Sequence, residues 1–151
     1  MARVPAPKYS LNVVAAEIVL GGVLLSIGAL LPWMTVASAD RSASLSGLDG
    51  GDGFFFLLFG AVVALLALTR LVRPGLPGKR RTMILFGVLA LGSTLWEAAA
   101  IQFELNGSTP ESVSSGLGAG IYVMGVGAVL VLGASLAGSL GRQEKVAGAE
   151  A

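Results

Sequence analysis

The chain contains no cysteine and no histidine. The first absence excludes disulfides, thiolate nucleophiles and cysteine-held metals, and leaves the redox compartment unmarked. The second removes the commonest metal ligand and the usual general base near neutral pH. Charge is scarce too. Only 13% of residues are charged against 54% hydrophobic, too small a polar fraction to cover the surface of a soluble domain. No serine stands beside a plausible base, so no nucleophile–base pair can be assembled from the pattern. The chain is therefore expected not to be an enzyme, to take no cofactor or metal, and to have no nucleic-acid partner.

Four long apolar runs are present. Leu11 to about Ala37 exceeds the roughly 20 residues that cross a bilayer, even with Pro32 kinking or ending it. Further spans are expected at about 54–72, 82–103 and 116–140, followed by a charged tail at 141–151. Residues 38–52 and 106–115 read as loops from their Ser, Gly, Asp and Pro content. Trp33 falls at the end of the first run, where an interfacial aromatic belongs. Arg3, Lys8 and the small residues Ala37 to Ala39 also suit a cleaved signal peptide, but the apolar run is longer than a usual signal core, which favours a retained helix. The expected fold is a single all-α membrane domain, a bundle of four transmembrane helices.

Five of the ten Lys/Arg residues crowd into one turn between the second and third runs: Arg70, Arg73, Lys79, Arg80 and Arg81. Arg3, Lys8, Arg142 and Lys145 fall on the same side of a four-span arrangement, and only Arg41 on the other. Basic residues collect on the cytoplasmic side, so both termini are expected to be cytoplasmic. The basic turn also suits anionic lipid headgroups, at about 1 kcal/mol per charge near the surface. Arginine outnumbers lysine, and Ala, Gly, Leu and Val dominate, a composition typical of a bacterium with a GC-rich genome.

Lipid supplies no hydrophobic drive for helix association, so small residues that admit close backbone contact mark the packing faces. The candidates are Gly21 and Gly28 (on one face with Glu17), Gly60 with Ala64, and Gly120, Gly127 and Ala134 at intervals of seven. Gly87, Ala90 and Ser93/Thr94 lead to Glu97 in the third run. The GLGAG run at 116–120 resembles a phosphate loop, but the sequence leads to no expected strand before it, which favours packing.

Glu17 and Glu97 are the formal charges well inside spans, and such residues are functional hypotheses by default. Both runs travel in the same direction, so the two carboxylates differ in depth by roughly 13 Å and cannot pair. Snorkelling to an interface is the plainer role for each. A relay between them has only Ser26, Ser93 and Thr94 to draw on. Asp49 and Asp52, three apart among glycines, lack the ligand alternation and terminal glutamate of a calcium loop and read as a turn. Asn106-Gly107-Ser108 matches a glycosylation sequon that a bacterium would leave unused.

LLPWMTV at 30–36 and SGLDGGDGFFFLLFGAVVALLAL at 46–68 resemble small four-helix membrane proteins of actinobacteria, in which a Trp closes the first helix and a Ser/Gly/Asp loop opens the second. The resemblance implies that fold and lineage and carries no catalytic residue. Claudin-like four-span proteins share a loop Trp, but their paired loop cysteines are missing here. The functional expectation is a non-catalytic accessory or scaffold subunit of a larger bacterial plasma-membrane complex, in contact with lipids and larger integral membrane partners. The competing expectation is a small oligomeric transporter or channel using Glu17 and Glu97, and a weaker third is a lipid-binding envelope protein using the basic turn.

Overall fold

A computed structural model describes residues 11–38, 41–73, 80–108 and 114–147. The first apolar run is helical over Leu11–Leu30 (α1), and the chain then forms strands β1 (Pro32–Ala37) and β2 (Ser42–Ser46). A one-turn helix α2 (Gly47–Gly50) leads into α3 (Gly53–Val72). Helix α4 (Arg80–Ser108), strand β3 (Ser114–Leu117) and helix α5 (Ala119–Ala147) complete the order. Four of these helices, α1, α3, α4 and α5, are long and apolar enough to cross a membrane.

The chain is not all-α. A three-stranded antiparallel sheet, ordered β2-β1-β3, gathers the segment after α1 and the segments before α2 and α5 at one end of the helices. The expected first span is thereby cut at Leu30, the expected loop at 38–52 contains a strand and a helical turn, and the expected start of the fourth span belongs to β3. Proline explains the first difference. The residue before a proline is pushed out of the helical region, and Pro32 has no N–H for the carbonyl four residues back. Trp33, Thr35 and Val36 after it have strand-favouring side chains, and Met34–Ala37 pair on both sides. Periodicity could not reveal this, because Pro32–Ala37 continues the apolar run without a polar break.

Helix α1 is central. Its consecutive glycines project about 100° apart around the axis and so meet two different neighbours. A Cβ on Gly21 would lie 2.7 Å from the Gly127 carbonyl oxygen of α5, and one on Gly22 would lie 2.7 Å from the Gly60 carbonyl oxygen of α3. Further along the α1–α5 seam, Gly28 lies against Gly120 and Met124. Ser26 ties α1 to α3, its Oγ donating to the Leu57 carbonyl at 3.0 Å and to that of Gly22 at 3.2 Å. The α4–α5 contact is made where Gly87 meets the backbone of Leu132. Leu25, Val63, Met124 and Val131 are fully buried between these helices.

Trp33 locks the sheet onto the helices. It stands just past the end of α1 and is buried within the protein. The register slips between Pro32 and Met34, an irregularity that re-aims a side chain. The Trp33 indole N–H donates at 3.0 Å to the carbonyl of Gly28, the acceptor that Pro32 leaves without its helical donor. Its ring rests on Gly47, where a Cβ would collide with it, and meets Phe56 edge-on at 5.5 Å. The Trp33 carbonyl accepts from Gly118 N–H at 2.7 Å, which carries the chain from β3 into α5.

Candidate functional site

Helices α3 and α4 are separated by side chains. The Phe59 and Phe86 rings meet edge-on, 5.5 Å apart, and prop the two helices open. Toward the sheet end of that prop lies a cleft of about 530 Å³. Asp52, Phe55 and Phe56 line it from the start of α3, and Gly92, Trp96 and Glu97 from α4.

The approach to α3 places Asp52. Ser46 donates to Asp49 Oδ2 from both its backbone N–H and its hydroxyl, each at 2.8 Å, and so shapes α2. Those two hydrogen bonds, the hydroxyl's first, hold the Asp49 carboxyl below the usual aspartate range. Gly51 then adopts φ +90°, a conformation that favours glycine, and turns the chain into α3. Asp52 stands at the N-cap position, but its side chain makes no capping hydrogen bond. Asp52 lines the cleft instead.

On α4, Glu97 is half-buried and Trp96 is 75% exposed. Gly92 contributes no side chain, and nothing lies within 4 Å of where its Cβ would stand. Among the described residues no basic side chain lines the cleft. The aromatic wall continues inward from Phe55 to Phe56 at 5.7 Å and on to Trp33.

The two acids that the sequence sets within apolar runs lie apart: Glu97 is in the cleft, whereas half-buried Glu17 on α1 does not line it. The residue that joins Glu97 is Asp52, which sequence reasoning had assigned to a turn. Of the relay candidates, Ser26 donates to helix carbonyls, Thr94 donates to Ala90 at 2.8 Å, and Ser93 alone reaches the cleft. Gly21, Gly28, Gly120, Gly127 and Ala134 are buried, as is Gly60, while Ala64 is half-buried against Gly22. Arg73 and Arg81 are exposed and Arg70 half-exposed at the end opposite the sheet. Arg80 opens α4, while Lys79, Ala39, Arg3 and Lys8 lie outside the described residues. No group of three or more metal-ligating side chains occurs among the described residues.

No protein-family model matches the chain, and no curated protein matches it. What its own geometry defines is a multi-helix chain with four candidate membrane spans, a small sheet at one end and a cleft between two of the helices.

Proposed function

We propose that this is a non-catalytic, multi-pass protein of a bacterial plasma membrane, with both termini cytoplasmic, that serves as an accessory or scaffold subunit of a larger membrane complex. The orientation rests on the nine-to-one distribution of Lys and Arg between the two sides, which puts the sheet outside. The single observation that carries the scaffold role is on α5. Gly125 and Gly133, two turns apart, have open space where a Cβ would stand. Glycine inside a helix costs about 1 kcal/mol relative to alanine, and no contact within the described chain requires either one. Between them Val129 is exposed, flanked by Tyr122, Val126 and Leu136. That face admits a second helix at close range, the geometry on which membrane helices associate.

The test is a mild-detergent pull-down of the full chain from native membranes, tagged at the C-terminal tail, with the size on native gels and the composition by mass spectrometry. Stoichiometric larger partners are expected, and Gly125→Leu with Gly133→Leu should release them while the helical circular dichroism persists. Isolation as a monomer would count against the reading. Isolation as a homo-oligomer would favour the transporter, for which Glu97→Gln or Glu17→Gln should abolish a flux without loss of expression.

A further inference from the structure

We propose that the α3–α4 cleft is a binding site for a monovalent organic cation with an apolar body. This goes beyond the scaffold reading and does not depend on the α5 face. Three features of the cleft converge on that ligand class.

The first is charge. Two carboxylates, Asp52 and Glu97, line one cleft, and no described cation pairs with either. Two like charges lining one cleft repel each other, and a bound cation offsets that repulsion. The second is the wall. Phe55 and Trp96 line the cleft, and the two residues are 58% and 75% exposed. Aromatic faces attract cations, and the indole is the best of them. Val88 and Leu89 line the cleft as well and suit an apolar body. The third is size. About 530 Å³ falls within the range of small-molecule sites, and Gly92 adds no side chain to it.

The same features disfavour a metal ion. Two carboxylates and the Ser93 hydroxyl are too few oxygen donors for calcium, and aromatic rings do not ligate hard cations. The chemistry is shared by free organic cations and by the ammonium headgroup of a membrane lipid, and the experiment separates these sources.

The probe is tetraphenylphosphonium, with tetraphenylborate as a partner of the same shape and opposite charge. Both are titrated into the purified full chain in nonionic detergent, with affinity read by equilibrium dialysis and site by tryptophan emission. Of the two tryptophans, Trp33 is buried and Trp96 faces the cleft. Saturable phosphonium binding that perturbs emission is expected, with the emission change lost in Trp96→Phe. Tetraphenylborate should bind at least about tenfold more weakly, a difference of about 1.4 kcal/mol. Glu97→Gln and Asp52→Asn should each weaken the phosphonium severalfold, and Gly92→Leu should abolish it by filling the cleft while circular dichroism and Trp33 emission are retained. Equal affinity for the two ions, or phosphonium binding unchanged in Glu97→Gln and Gly92→Leu, would overturn the proposal. Repeating the titration in nanodiscs identifies the source. Competition by phosphatidylethanolamine but not phosphatidylglycerol supports the site with a lipid ammonium as occupant. Unchanged affinity in both supports it with a free cation.

Discussion

The α1–α5 seam and the α3–α4 interface are built from the same stock of apolar residues and end in opposite states. Along the seam, Gly21 faces Gly127 and Gly28 faces Gly120, so backbone carbonyls of one helix sit where the other's Cβ atoms would stand. Between α3 and α4 the contact is Phe59 against Phe86, ring on ring, and the helices stay far enough apart to leave a cleft on the sheet side. Helix separation is set by the size of the facing side chains. Two hydrogens make a closed seam, and two benzyl groups make a prop. Burial follows the same division, with 44% of the α5 span inside the protein against 17% of the α4 span.

The strongest way to break the closed side is at its sheet end. Trp33→Ala removes the ring that covers Gly47 and the donor to Gly28, and large aromatic deletions of this kind cost about 3–5 kcal/mol. Thermal unfolding in detergent should show the loss. Trp33→Phe should recover most of it, leaving the part due to one unsatisfied buried carbonyl, about 1–3 kcal/mol. An equal loss in both variants would mean that the hydrogen bond, rather than the ring, fastens the sheet.

A smaller effect, of opposite sign on the two sides, sharpens the contrast. Gly28→Leu forces a side chain into Met124 and the Gly120 carbonyl, an overpacking that costs about 1–3 kcal/mol or more. Gly92→Leu projects into open space and gains helix propensity, up to about 1 kcal/mol. Unfolding midpoints should move in opposite directions. If both fell together, the cleft would not be open in the folded protein.

The smallest effect concerns the turn that delivers Asp52. The Asp49 carboxyl is held below its ordinary range by the Ser46 hydroxyl and amide. A depressed carboxylate contributes its stabilisation above the ordinary aspartate pKa and loses it as pH falls through the lower folded value. Hydrogen exchange at the Ser46 amide should therefore lose protection in that acidic window and be indifferent to it at higher pH. Asp49→Asn should erase the step, and a step that survived would place its origin elsewhere.

How much of this was legible varies residue by residue. Gly21 and Gly28 announce a close-packed face by spacing alone, yet Gly22, which meets α3, looks like a redundant neighbour until two helices are seen to flank α1. Trp33 read as an interfacial aromatic because Leu-Pro-Trp at the end of an apolar run is also what a membrane edge looks like. Its burial depends on Gly47 and Gly120, distant in sequence. Asp52 read as part of a turn. Nothing local marks it as the neighbour of Glu97, since the two are brought together only by the side-by-side placement of α3 and α4.

Sequence alone determined the four long apolar runs, the scarcity of polar chemistry and the concentration of basic residues in one turn. These follow from composition and from short-range rules: transfer cost and the length needed to cross a bilayer. Tertiary structure alone decided that α1 lies at the centre, that three short segments pair as a sheet with Trp33 beneath it, and that Asp52 and Glu97 share a cleft. Each of those is an adjacency between residues far apart in the chain. It is set by which side chains let backbones meet and which hold them apart, a property of pairs that no single segment carries.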